Sequence, residues 1–463
     1  MPINDFRSLN LSAGLLRVIE EMGFTEMTPI QAASIPALLQ GKDLVGQSHT
    51  GSGKTAAFII PILQNIQIEL RQPQALILCP TRELCDQVLK ECRKFSKAFP
   101  GLQTVALVGG QPYPPQTQAL NNGVQLIVGT PGRTLEHLNK NQLQANHLKT
   151  LVLDEADRML DEGFADEMTA IIEELPQKKQ TIFFSATFPE TIEALSRKYQ
   201  KNAVRVTIDK DVQESPQIKQ YLYEAESPQK IDTLLKILQR HPSICTLVFC
   251  RMKSTVDEIG QKLESMNVSS QVLHGDLTQP ERDRATALFR NGSARILVAT
   301  DVAARGLDIE MLELVVNVDL PVSPEIYIHR IGRTGRAGRQ GTAVSIATAF
   351  EALKIMEIEQ ATGVRMIRQN LGFENQHGLG PEFQKTATKT IQIAGGKIDK
   401  LRPGDILGAL TAEPGALAAT DIGKIEIHER FSLVAINTPA SEKALQKLRT
   451  TKIKGKKFKN YFA

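Results

Sequence analysis

The sequence predicts an α/β protein: two tandem parallel-sheet domains followed by a small α+β domain. Three observations predict it. Short apolar runs alternate with longer amphipathic stretches from the N-terminus onward, as strands of a parallel sheet do when helices cover both faces. The same alternation restarts after a polar stretch, Asp209 to Pro216. Past Lys385 the chain changes character, to fewer strands, two helices and many lysines. A chain of 463 residues has room for several domains, each with its own core.

The first domain is expected over residues 1–208. Its strands read as Asp43–Val45, Ala75–Leu78, Thr104–Val108, Leu126–Val128, Leu151–Leu153 and Thr181–Phe184, with helical patterns such as Thr81 to Phe99 between them. The second is expected over 217–370, with strands at Thr246–Phe249, Ser270–Leu273, Arg295–Ala299, Leu314–Asn317 and Thr342–Ser345. Gly372 to Lys385 is rich in Gly, Pro and polar residues and reads as a second linker. The third domain, 388–463, carries apolar runs at Ile391–Ala394, Gly423–Ile427 and Leu433–Ile436 and helical patterns at Pro403–Leu410 and Glu442–Arg449. A βαββαβ order follows.

Charge is unevenly spread. Lys385 to Ala463 carries 15 Lys and Arg against 7 Asp and Glu, or +8, which leaves −4 for the rest of a chain whose total is +4. A basic end on a near-neutral body points to an anionic partner, most simply nucleic acid; a solvated Lys-rich tail is the plainer reading. The cysteines, Cys79, Cys85, Cys92, Cys245 and Cys250, form no C-x-x-C pair, so zinc is not expected and reduced thiols are. The N-terminus has neither a basic flank nor an apolar core, and no run of 18 apolar residues occurs. No targeting segment and no membrane span are expected, so the chain reads as cytoplasmic.

Two motifs carry the chemistry. Ser48-His49-Thr50-Gly51-Ser52-Gly53-Lys54-Thr55 lies between a predicted strand and an apolar helix. Such a turn offers backbone N–H groups to phosphate oxygens, Lys54 adds a point charge for the β/γ-phosphates, and the Thr55 hydroxyl suits Mg²⁺. Ser48 stands where Gly or Ala is usual. About a hundred residues downstream, Asp154-Glu155-Ala156-Asp157 follows an apolar strand. Asp154 is placed to hold the Mg²⁺ through water and Glu155 to polarise an attacking water; Asp157 also reads as a carboxylate at a helix N-terminus. Together, in this order, the pair predicts a nucleotide triphosphate and Mg²⁺ as cofactors. Gln31 can pair with the N6 and N7 edges of adenine, and Phe6 can stack on its ring, which makes the nucleotide ATP; an ordinary helix start explains the same residues. In His329-Arg330-Ile331-Gly332-Arg333-Thr334-Gly335-Arg336 three arginines recur every third residue. On a helix they would share a face as a salt-bridge ladder, but two glycines argue against a plain helix. Arg333 and Arg336 suit charge stabilisation on a transferring phosphoryl group, which would require the two domains to close.

The motif set, in its order, resembles the DEAD-box ATP-dependent RNA helicases. Gln31, Ser48–Thr55, Pro80–Leu84, Gly109-Gly110, Thr130–Arg133, Asp154–Asp157, Ser185-Ala186-Thr187, Gln279 with Arg282, Thr300–Asp308 and His329–Arg336 carry the resemblance, which covers roughly Phe6 to Ile367. It implies two RecA-like domains that hold ATP and RNA. It implies RNA-backbone contacts at Thr81, Arg82, Gly110, Thr130, Gly132 and Arg133, and at Gln279, Arg282, Thr300 and Arg305. It implies a ribose contact at Asp308, and a link from nucleotide state to duplex opening through Ser185, Thr187 and Asp157. Backbone contacts of this kind tolerate any sequence, while 2′-hydroxyls select RNA. The stretches Lys400–Thr411, Ile422–Ile425 and Lys452–Lys456 resemble the C-terminal domain of the DbpA group, whose target is a hairpin of large-subunit ribosomal RNA. That resemblance implies an RRM-like domain with RNA contacts at Lys400, Arg402 and Lys454. It departs from ordinary RNA-recognition motifs: the central strands lack stacking aromatics, with only Phe431 at an edge. The expected activity is local, ATP-driven unwinding of RNA, targeted to 23S ribosomal RNA in pre-ribosomal large-subunit particles, by a monomer. A general RNA-remodelling helicase, or an ATP-gated RNA clamp with little unwinding, are the alternatives.

Overall fold

The computed structural model describes residues 4–48, 52–185, 187–188, 190–208, 218–241, 243, 245–304, 312–335, 340–370 and 386–463. They form two compact units, one up to residue 208 and one from 218 onward. The expected linkers 209–216 and 372–385 lie outside the described residues.

The first unit is a seven-stranded parallel sheet built from β1 (Leu44–Gln47), β2 (Ala75–Leu78), β3 (Thr104–Leu107), β4 (Leu126–Gly129), β5 (Thr150–Asp154), β6 (Gln180–Ser185) and β7 (Val204–Thr207), in the order β3-β4-β2-β5-β6-β1-β7. The two-residue period sorts each strand between two cores. Leu76, Leu78, Leu151 and Leu153 join one apolar cluster, while Ala75, Ile77 and Val152 join the other. Helices close both faces. Arg82–Phe95 is typical: Thr81 caps its start by accepting from the Leu84 amide at 3.2 Å, and Leu84, Cys85, Val88, Leu89, Cys92 and Phe95 bury one stripe of it.

The second unit holds β8 (Ile218–Glu224), β9 (Thr246–Cys250), β10 (Ser270–Leu273), β11 (Ile296–Thr300), β12 (Leu314–Asn317), β13 (Gly341–Ala347) and β14 (Ile367–Gln369), again parallel, in the order β10-β11-β9-β12-β13-β8-β14. Counted from each first strand, the two sheets have the same order, so one topology occurs twice. The same unit carries an antiparallel sheet of β15 (Thr388–Ile393), β16 (Ile422–Ile427), β17 (Ser432–Asn437) and β18 (Asn460–Phe462), ordered β16-β17-β15-β18. Helices Pro403–Thr411 and Ser441–Thr450 pack on one of its faces, against Ile391, Ile393, Val434 and Ile436. This is the βαββαβ order expected from the sequence. Among the described residues no helix is long and apolar enough to cross a membrane.

Candidate functional site

In a parallel sheet the loops after the strands converge at one edge, and ligands are held there. In the first unit that edge divides in two. The loops after β1, β5 and β6, neighbours in the order β5-β6-β1, carry the phosphate turn, Asp154 to Asp157, and Ser185 with Thr187. The loops after β3, β4 and β2, also neighbours, carry Gly109 and Gly110, Thr130 to Arg133, and Thr81 with Arg82.

The phosphate turn enters helix Lys54–Asn65 through Gly53, whose φ of 95° lies in the left-handed region. A Cβ there would stand 2.5 Å from Gln31 Nε2, so both the turn and the close approach demand glycine. Lys54 is 7 % exposed, and its Nζ donates to the Ser48 carbonyl at 2.9 Å. The Ser48 and Ser52 hydroxyls are 2.8 Å apart, and Thr55 is half-buried on the first turn. Gln31 Nε2 donates to the Gly53 carbonyl at 3.1 Å, while its Oε1 accepts from the Thr28 amide at 3.0 Å. Gln31 thus closes a capping box on helix Pro29–Leu39 and also touches the phosphate turn. Phe6 is 3 % exposed, its ring edge-on to Phe24 at 6.3 Å, and it lines a cavity of about 270 Å³ beside that core.

Asp154 ends β5 and is 3 % exposed, and among the described residues its Oδ1 has no hydrogen-bond partner. Burial and the negative charge of Glu155 push its carboxyl up to about 7, against the pull of Lys54. A buried carboxylate oxygen left without a donor suits a cation or its water, and a cation would reverse that upward shift. No group of three or more His, Cys, Asp or Glu among the described residues could hold a metal by itself. Glu155 caps helix Ala156–Asp161 in the left-handed conformation, φ 54°, and its Oε2 lies 2.5 Å from Arg158 Nη1 in a buried ion pair. Asp157 accepts from the Thr187 amide at 2.9 Å and hydroxyl at 2.8 Å, and its own amide donates to Ser185 Oγ at 3.3 Å. The expected Ser185–Asp157–Thr187 link is therefore present as a set of contacts.

On the other half of the edge, Arg82 lies over Gly109 and Gly110: a Cβ on Gly109 would stand 3.2 Å from Arg82 Nη2, and Gly110 has φ 68°. Thr130 caps helix Pro131–Asn139, and the space around Gly132 is open within 4 Å. Arg133 pairs with Glu136 at 3.0 Å and donates to the Gln111 carbonyl at 3.3 Å. In the second unit, Gln279 and Arg282 start helix Gln279–Arg290, which Thr278 and Glu281 cap, and Thr300 ends β11. Helix Pro324–Ile331 stops at Gly332, so Arg333 falls beyond it and the three arginines do not share a helical face. Arg330 instead forks onto Asp301 at 2.6 and 2.7 Å and donates to Asn317 Oδ1 and the Asp319 carbonyl. Arg333 is 8 % exposed. In the third sheet's domain, Lys454 Nζ donates to the Lys400 carbonyl at 2.7 Å and pairs with Asp405 at 3.2 Å, whose carboxylate also accepts from the Arg402 amide at 2.8 Å. Lys400, Arg402 and Lys454 are thereby brought together. Thr50, Gly51, Arg305, Asp308 and Arg336 lie outside the described residues.

Three family models match the chain in order: a DEAD/DEAH box helicase over residues 28–195, a helicase conserved C-terminal domain over 229–338, and a DbpA RNA binding domain over 390–460. It is 45% identical to ATP-dependent RNA helicase DbpA of Escherichia coli (strain K12), over 97% of this chain and 98% of that protein. The chain belongs to the DEAD-box ATP-dependent RNA helicases, in the DbpA group. Bacillus subtilis (strain 168) DbpA is 36% identical over 99% of both chains. Among solved structures, S. cerevisiae Dbp5 bound to RNA and ADP BeF3 superposes with a TM-score of 0.71 at 34% identity, covering 79% of this helicase and 96% of that chain.

Residues that the sequence motifs do not mark for a role of their own pack against the candidate site residues. Arg158 holds Glu155, and its only signal is the three-residue spacing on a helix. Arg330 holds Asp301, the first residue of the short helix Asp301–Ala304 after Thr300, although it sits inside a motif whose other arginines suit the phosphoryl group. Tyr113 lies 4.2 Å from His137 in a parallel stack, with the Arg133 guanidinium 5.1 Å from its ring centre, and so braces an expected RNA contact.

Proposed function

We propose that this helicase hydrolyses ATP with Mg²⁺ and uses the cycle to open short RNA duplexes locally, directed by its C-terminal domain to 23S ribosomal RNA during large-subunit assembly. The observation that carries the reading is the divided sheet edge of the first unit. Candidate phosphate residues follow β1, β5 and β6, candidate RNA residues follow β2, β3 and β4, and Asp157 with Ser185 and Thr187 joins the loops on the phosphate half. Thr55 and Asp154 would hold Mg²⁺, which when bound neutralises charge on the phosphates. Lys54 binds the β/γ-phosphates, Glu155 orients the attacking water, Gln31 and Phe6 favour adenine, and Asp308 takes the ribose. Arg333 and Arg336 supply positive charge to the transferring phosphoryl group. Dbp5, solved with RNA and ADP BeF3, supports the use of both ligands on this fold.

The ribosomal target rests on the match to the DbpA RNA binding domain and on the basic end of the chain. Its domains are assigned as 1–208, 217–370 and 388–463, acting in a cytoplasmic monomer. Intact Glu155 and Arg333 favour turnover over an inert clamp. The test is ATP turnover by the purified chain with a large-subunit rRNA hairpin, an unrelated hairpin of equal length, and no RNA. Strong activation by the first alone supports the full reading. Equal activation leaves only a general RNA helicase, and none in any arm refutes both.

A further inference from the structure

In the third sheet Ile391, Ile393, Val434 and Ile436 face the helices of their own domain. The alternate positions of β15 and β17 face the other way, and that face is covered by the second helicase domain. Leu433 packs with Ala287, Leu288 and Ala294, with Phe431 and Ala463 at the margin. Thr390 Oγ1 accepts from Asn291 Nδ2 at 2.8 Å and lies 2.8 Å from Ser293 Oγ, and Thr388 donates to the Asn291 carbonyl at 3.0 Å. The covering elements are helix Gln279–Arg290 and the turn after it. This is the helix that starts with Gln279 and carries Arg282.

One carboxylate stands at the joint. Asp283 Oδ1 accepts from Gln279 Nε2 at 2.9 Å, and its Oδ2 lies 3.6 Å from Nδ1 of His428, in the connection between β16 and β17. His428 is itself fixed by stacking on Phe431, 4.4 Å between ring centres and 14° from parallel. An ion pair, Arg290 to Glu426 at 3.3 Å, crosses the same interface. Burial pushes the Asp283 carboxyl up, but His428 and Gln279 outweigh it and leave it below the usual carboxylate range.

We propose that Asp283 is a positioning residue for RNA binding, tying Gln279 to the docked C-terminal domain through His428. The inference rests on the reading of Gln279 as an RNA contact. A glutamine side chain loses rotamer freedom when it binds, which opposes association. A carboxylate that already holds its amide removes that cost from the RNA-binding step. The C-terminal domain thus acts on the helicase core as well as on its own RNA, because His428 helps to place the carboxylate that places Gln279.

The experiment is RNA-stimulated ATP turnover of the full-length protein against poly(U). Asp283→Ala keeps the helix, since Ala is the better helix former. It is expected to raise the KM for poly(U) about three- to tenfold, the factor to which removal of one hydrogen bond corresponds, with kcat within about twofold. His428→Ala should raise KM by a smaller factor, and the double variant should match Asp283→Ala alone, as members of one linked chain do. Gln279→Ala is the control. If it raises KM while Asp283→Ala leaves KM unchanged, the inference fails and the RNA reading of Gln279 stands. If Gln279→Ala leaves KM unchanged, that reading fails and takes the inference with it. Additive effects of Asp283→Ala and His428→Ala, or a fall in kcat at constant KM, overturn the link.

Discussion

At the scale of single residues, Lys54 and Glu155 divide binding from chemistry. Lys54 is buried at the start of its helix with its ammonium already turned into the phosphate loop. Lys54→Ala should therefore lose nucleotide binding. Glu155→Gln preserves shape and removes the charge proposed to polarise water, so it should bind ATP and lose turnover. Titration with a fluorescent ATP analogue beside a phosphate-release assay separates the two, and wild-type turnover in Glu155→Gln would count against the assignment. Arg158 adds a sharper case. Its buried ion pair with Glu155 spans one helical turn, and the left-handed conformation of Glu155 fixes where that carboxylate starts. Arg158→Met keeps most of the volume and removes that ion pair. It should lower kcat roughly ten- to hundredfold, as small misplacements of a reacting group do, while ATP affinity stays near wild type. An unchanged kcat would show that Glu155 needs no such brace.

Elements show what the sequence makes legible. Buried parallel strands such as β2 and β5 read directly as apolar runs, because both faces are covered. β7, β8, β14 and β18 do not read as such runs, because they lie at or near the sheet margins, with burial that alternates or fails: Ile367, Arg368 and Gln369 of β14 are mostly exposed. The phosphate turn and the Asp154 tetrad are legible because their chemistry forces residue type and order. Arg330 is not, because a buried ion pair joins residues 29 positions apart and leaves no local pattern. Its guanidinium serves Asp301, Asn317 and the Asp319 carbonyl at once, and lies over the Phe249 ring. Arg330→Met should strip those partners together and destabilise the second unit by about 3–5 kcal/mol, the usual cost of leaving half of a buried pair. A denaturant titration of the full chain should then show an early transition. A single transition at the wild-type midpoint would mean that water replaces the guanidinium at no cost.

For the whole molecule, the proposed function raises the question of how a helicase whose candidate core contacts are to the RNA backbone would prefer one RNA. The same α/β topology appears twice, and the candidate contacts of both copies, threonines, glycines and arginines with Gln279, suit backbone more than base edges. On the proposed reading preference would come from the C-terminal domain, yet the sheet face where a recognition motif would stack bases is covered by Leu288 and its neighbours. That leaves Lys400, Arg402 and Lys454, gathered around Asp405. Deleting the domain would uncover the apolar surface at Leu288, so substitution is the cleaner probe. Lys400→Gln with Arg402→Gln should weaken activation by a large-subunit rRNA hairpin and leave activation by poly(U) nearly unchanged. On the proposed reading both residues would act through charge on phosphates, so the slope of log affinity against log salt should become shallower by roughly 0.7–0.9 for each phosphate no longer neutralised. A nonspecific basic end predicts something else: all RNAs weaken together, because a solvated cation has no preferred phosphate. If the double variant loses affinity for the hairpin and poly(U) alike, the domain is an electrostatic tether, and the reading of these residues as selecting ribosomal RNA fails.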